Sequence, residues 1–125
     1  MEEIKSFYQA INEICFRDQR YKPDSYEFVM QALNFTQKEF KKPGHISGQE
    51  LLEGIRKFAL DQYGPMAKTV LQHWGITKTS DFGNIVFSMI ENKLLSKTEN
   101  DTQHDFDDVY DFEKAFRHVV KDLRI

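Results

Sequence analysis

Ile46-Ser47-Gly48-Gln49-Glu50-Leu51 is the stretch that most constrains this chain, because it specifies where a helix must begin. Ser47 can accept a hydrogen bond from the backbone N–H of Glu50, and Glu50 can reach back to the N–H of Ser47. Ile46 and Leu51 stand at the two positions of a hydrophobic staple. From that start Leu51, Leu52, Ile55, Phe58 and Ala59 recur at helical spacing, and Tyr63-Gly64-Pro65 ends the run. Gly64 suits a left-handed cap and Pro65 the first turn of a following helix, which carries Met66, Ala67, Val70, Leu71 and Trp74 up to Gly75.

The same punctuation divides the rest of the chain. Ile4, Phe7, Tyr8, Ile11, Ile14 and Cys15 form one apolar stripe, closed by Lys22-Pro23. Asp24-Ser25-Tyr26-Glu27 has the form of a capping box and opens a helix through Val29, Met30 and Leu33, ended by Lys41-Lys42-Pro43-Gly44. Thr77 to Ser80 makes a turn in which Thr79 or Ser80 caps a helix with Phe82, Ile85, Val86, Met89 and Ile90 inward. Leu94 to Phe112 is rich in Thr, Asn and Asp and resumes with Val109-Tyr110, a pattern that suits two short strands around a wing. Asp111 caps a last helix with Phe112, Ala115, Phe116, Val119, Val120 and Leu123 on one face. The expected fold is mainly α with an α+β element: five to six helices and one short β-hairpin, around a winged-helix-like core.

A length of 125 residues fits a single domain, with eleven Phe to fill its core. Within it we expect an N-terminal helical pair over 1–45, the winged-helix-like core over 46–112 and a C-terminal helix over 112–125 packing back. No apolar run reaches the length of a membrane span, and the amino terminus opens with two acids and lacks the basic region and small-residue cleavage site expected of a signal peptide. The expected location is cytoplasmic. Cys15 is the single cysteine, which rules out an intrachain disulfide and fits a small buried hydrophobe.

A winged helix raises the question of DNA, and the charge pattern answers against it. A recognition helix should offer Arg, Lys, Asn or Gln to base edges. The outward positions here are Asp81, Asn84, Ser88 and Glu91, with Asn92 and Lys93 at the end, so two are acids and only one is a base. Glu99 to Glu113 carries seven carboxylates and neither Lys nor Arg, the wrong sign for a segment that follows a phosphate backbone. The net charge of −3 agrees. An alternative is a dimer whose Lys38, Lys41 and Lys42 together contact DNA or RNA.

Catalytic and metal motifs do not emerge. His45, His73, His104 and His118 are dispersed without zinc spacing, and there is no G-x-S-x-G, P-loop or G-x-G-x-x-G. Asp105-x-Asp107-Asp108 resembles a piece of a calcium loop but lacks the EF-hand glycine and terminal glutamate. No metal, cofactor or catalytic residue is assigned, and an enzyme is the third reading. Ser80, Asp81, Gly83 and Asn84 form one candidate interaction surface, because a glycine in a first helical turn costs about 0.5–1 kcal/mol and asks for a compensating contact. Packing against the Tyr63–Pro65 corner would supply it, as would a ligand. Asp105, Asp107, Asp108 and Asp111 form the other candidate, a surface for a basic protein partner. The leading expectation is a non-catalytic protein-interaction module.

Ser47-Gly48-Gln49-Glu50-Leu51-Leu52-Glu53-Gly54-Ile55-Arg56, Tyr63-Gly64-Pro65-Met66-Ala67, Trp74-Gly75-Ile76, Asp81-Phe82-Gly83 and Leu94-Leu95-Ser96-Lys97-Thr98 together resemble a family of small, uncharacterised bacterial conserved hypothetical proteins. The resemblance runs from about Tyr21 through Asp111-Phe112. It implies a bacterial cytoplasmic protein and brings no catalytic or ligand residues with it.

Overall fold

The computed structural model describes residues 6–117, and those residues form six α-helices with two single 3-10 turns. They are α1 (Phe7–Arg17), α2 (Pro23–Glu39), α3 (Gly48–Tyr63), α4 (Ala67–His73), α5 (Thr79–Glu91) and α6 (Phe112–Ala115). The 3-10 turns are Gly64–Met66 and Gln103–Phe106. No strand occurs among the described residues, which overturns the expected β-hairpin and with it the winged-helix-like core.

The reason lies in how the segment after α5 satisfies its own backbone. Asp101 accepts from the Thr98 N–H (2.8 Å), Asp105 from the Thr102 N–H (3.0 Å) and Asp111 from the Lys114 N–H (3.1 Å). Short polar side chains thus take donors that a ladder would need. Asp108, at φ 47°, breaks any extended path. What the segment contributes to the core is a set of separate anchors, Phe106, Phe112 and Phe116.

Helix starts follow the sequence in part. The Ser47–Glu50 capping box forms reciprocally, at 3.1 and 3.0 Å, and α3 begins at Gly48. Asp24 caps nothing: Pro23 occupies the first turn of α2 and Lys22 is the cap. Neither Thr79 nor Ser80 caps α5; both lie within it, and the cap is Lys78. Asp111 does cap α6, while Val119, Val120 and Leu123 lie outside the described residues.

The core is built on α2, α3 and α5. Val29 and Ala32 of α2, Leu52, Ile55 and Ala59 of α3, and Phe82, Ile85 and Met89 of α5 are fully buried. α2 and α3 approach so closely that a Cβ on Gly54 would lie 1.7 Å from Thr36 Oγ1. That hydroxyl donates to the Ala32 carbonyl (2.6 Å), so the contact leaves no polar atom stranded. A second aromatic layer, Phe28 with Phe58, Tyr63 and Trp74, covers the other end of these helices. Gly75 turns the chain at φ 96°, beside the Arg20 carbonyl. α6 docks through Phe112 on Phe82 and through an ion pair between Lys68 and Glu113. No described helix is long and apolar enough to cross a membrane.

Candidate functional site

The first candidate surface is largely interior. Asp81 is 7 % exposed. Its Oδ2 accepts from the N–H groups of Thr77 (2.9 Å) and Lys78 (3.2 Å), which holds the start of α5. Its Oδ1 accepts from the Tyr21 hydroxyl at 2.6 Å. Asn84 donates to the same hydroxyl (2.8 Å) and accepts from Gln103 (2.5 Å). The result is a continuous polar chain tying α5 to the segment before α2 and to the turn at Gln103. Burial pushes the Tyr21 phenol up to about 12, against a lowering contribution from Asn84 and a raising one from Asp81. Ser80, half-buried, takes no part in it.

Gly83 finds its explanation in packing. A Cβ there would stand 2.8 Å from the Cβ of Phe106, and one on Gly48 would stand 3.1 Å from the same ring. The two glycines make a notch between α3 and α5, and Phe106, 3 % exposed, fills it. The contact lies with the acidic segment and not with the Tyr63–Pro65 corner.

The acidic candidates separate into two kinds. Asp105 accepts from Thr102 and Asp111 caps α6, so both hold the backbone. Asp107 lies on the surface, 3.0 Å from His104 Nδ1, and Asp108 is exposed. No group of three or more metal-ligating residues comes together among the described residues. The lysine trio is divided as well. Lys42 pairs with Glu50 at 2.7 Å and holds that carboxyl down at about 2, while Lys38 and Lys41 border an open depression with Asn34, Gln37 and Pro43. Cys15 is half-buried, its thiol directed at the Tyr21 carbonyl (3.7 Å), and burial raises its pKa. That keeps it a thiol, the less nucleophilic form.

Sequence reasoning missed a cleft of about 450 Å³ between α2, α3, α5 and the segment that follows α5. Leu33, Ile46, Leu51, Val86, Ile90 and Leu95 give it an apolar floor, and Phe87 and Phe106 close one side. Four of these, Leu33, Phe87, Ile90 and Leu95, are only half-buried, so apolar carbon faces the opening. The rim is polar, with His45, Lys97, Thr98, Asp101 and Asp105. Across the mouth His45 Nε2 lies 3.2 Å from Asp101 Oδ1. The volume falls in the range of ordinary ligand sites, which combine an apolar lining with a few oriented polar groups. The lining comes from four separate stretches of chain. Its one local sign was Ile46, read as a staple for α3 while also serving as a wall.

Comparison with known proteins returns no match: no family model fits the chain, and no curated protein or solved structure is significantly similar to it.

Proposed function

We propose that this protein is a non-catalytic interaction module whose cleft receives an apolar side chain from a basic segment of a protein partner. The observation that carries the reading is the half-open apolar floor next to the acidic segment, since Asp101, Asp105 and Phe106 of that segment line the cleft. An apolar anchor in a preformed pocket supplies affinity, and complementary charge beside it supplies orientation and association rate. Seven carboxylates without a Lys or Arg from Glu99 to Glu113 select a cationic partner over an anionic one. Thr98 Oγ1 donates to Asp101, the carboxylate that also accepts from the Thr98 N–H, so this hydroxyl serves the turn at the rim.

The test is a titration followed by two-dimensional amide NMR. A short peptide with one Leu between Lys and Arg residues should shift the amides of Ile46, Phe87, Ile90 and Leu95, and its Glu-flanked counterpart should not. Ile90→Gln should abolish the shifts in a folded protein. Neutralising Glu99, Asp107 and Asp108 to their amides should weaken binding without loosening the loop, because their carboxylates cap no backbone there. Equal binding of both peptides would remove the basic partner from the reading. Shifts away from the cleft, or a concentration-dependent dimer that covers it, would overturn the site.

A further inference from the structure

We infer that Asp101 is the residue that reads the partner's charge, as the acceptor for one arginine guanidinium, and that His45 occupies this place in the free protein. The inference rests on the cleft being the binding site, and it concerns which atom selects the ligand. Two carboxylates line the cleft, Asp101 and Asp105, and two more, Glu50 and Glu99, are chain neighbours of lining residues; the oxygens of the four are committed differently. Glu50 accepts from Lys42 (2.7 Å) and Ser47 (3.0 Å). Asp105 turns one oxygen to the Thr102 N–H (3.0 Å) and the other to its hydroxyl (3.3 Å). Glu99 is exposed and does not line the cleft.

Asp101 alone of the four has one oxygen anchored and the other turned across the mouth. Its Oδ2 accepts from the N–H and the hydroxyl of Thr98, at 2.8 and 3.1 Å. That fixes the carboxylate plane, and Oδ1 then faces His45 Nε2 at 3.2 Å. The Asp101 side chain is 18 % exposed and that of His45 46 % exposed, so the carboxylate is partly withdrawn from water while the imidazole can swing away. A pre-oriented, partly desolvated carboxylate makes stronger charge-assisted hydrogen bonds than a free one. A guanidinium is a permanent cation whose donors form a fixed fork matched to a carboxylate, a geometry that an imidazole does not offer. An arginine placed beside an apolar anchor would therefore displace His45 from Oδ1, and the leucine would enter over Ile90 and Leu95.

The experiment is calorimetric titration of the full chain with two peptides that differ at one position. One carries a Leu anchor with a single Arg, the other the same Leu with citrulline, which keeps the shape and loses the charge. Wild type should prefer the arginine peptide by roughly tenfold, the scale expected for one charge-assisted hydrogen bond. Asp101→Asn retains an oxygen for the Thr98 cap and should abolish the preference while binding citrulline as before. His45→Ala removes the internal competitor and should strengthen arginine binding severalfold, a sign that a merely structural histidine would not give. Preference surviving in Asp101→Asn, or weaker arginine binding in His45→Ala, overturns the inference. Equal wild-type affinity for the two peptides overturns it too, while leaving the cleft as a site. Binding of neither removes both.

Discussion

The two ends of α5 are built from similar materials and come out opposite in character. At the N-terminal end, Asp81 and Asn84 enter a polar chain with Tyr21, Thr77, Lys78 and Gln103 in which the carboxylate and hydroxyl oxygens are engaged inside the protein. At the C-terminal end, Val86, Phe87 and Ile90 form part of a cleft floor with apolar carbon left facing the opening. The segment 95–106 meets both ends, through Gln103 at the closed one and through Leu95, Asp101 and Phe106 at the open one. A polar cluster whose hydrogen bonds are all internal has nothing left to offer a partner, and its work is to fix register. An apolar surface rimmed by oriented polar groups has unsatisfied capacity. In this molecule the conspicuous polar residues are tied to one another, and the less conspicuous apolar ones line the cleft where we propose that a partner binds.

The sharpest way to break that contrast is to remove the side chain that joins both ends. Phe106 fills the notch between Gly48 and Gly83 and carries one wall of the cleft. Phe106→Ala should cost about 3–5 kcal/mol of stability, the range for emptying a buried aromatic site. Urea unfolding followed by circular dichroism measures it. A loss under about 1 kcal/mol would mean that the segment is held mainly by its own turns and that Phe106 is no anchor. Binding of the proposed partner peptide should be lost as well, since one wall of the cleft is gone.

How far this arrangement was legible in the sequence depends on the range of the signal. The α3 start was legible because Ser47 and Glu50 satisfy each other within four residues, and so were the end of that helix at Gly64 and the cap of α6 at Asp111. The segment 94–112 was misread as a hairpin because its Thr and Asp residues look like those of a wing, while their use as local caps depends on where Phe106 is pinned. Gly83 was rightly singled out as needing a close neighbour. That the neighbour is Phe106, 23 positions further on (106 − 83), is tertiary information with no period to reveal it. Asp81 was placed on an outward face because its helical position alone does not reveal Tyr21, 60 residues earlier in the chain. The cleft was invisible for the same reason, since each of its walls also reads as ordinary core.

A second measurement sharpens the closed end. If Asp81 and Tyr21 act as one unit, Asp81→Ala should cost more than Tyr21→Phe. The first strips three donors of their acceptor, the Tyr21 hydroxyl and the N–H groups of Thr77 and Lys78, while the second leaves Asp81 Oδ1 without one donor and an Asn84 N–H without its acceptor; an unpaired buried group costs about 1–3 kcal/mol. The double variant should cost less than the sum, with a coupling of about 0.5–3 kcal/mol. Additive costs would show two independent residues. The same pair has a pH signature. Burial holds the folded Tyr21 phenol up to about 12 against an ordinary 10.0, so the unfolded chain releases that proton first. Stability is full below pH 10 and falls as pH rises towards 12, by on the order of 2 kcal/mol for this group. Tyr21→Phe should flatten that part of the alkaline profile.

The smallest expected effect lies beside the open end, at Glu50. Lys42, first among the causes, and the Ser47 backbone hold its carboxyl at about 2 against an ordinary 4.5. A carboxyl whose folded pKa is depressed contributes stability that is fully present above the ordinary value and is lost as pH falls from 4.5 towards 2. Glu50→Gln keeps an oxygen for the Ser47 N–H but gives up the charge that Lys42 answers. The side chain is 22 % exposed and Lys42 52 %, so water screens the pair and its worth is that of a surface bridge, about 0.2–1 kcal/mol. Wild type and Glu50→Gln should therefore differ modestly at neutral pH and converge as pH falls from 4.5 towards 2. Raising the salt concentration should narrow the neutral-pH gap, because an exposed pair is screened by ions whereas the backbone cap is not. A gap that persists at low pH and high salt would place the contribution in the capping geometry, and the start of α3 would then belong with the internal hydrogen bonding of the Asp81 end.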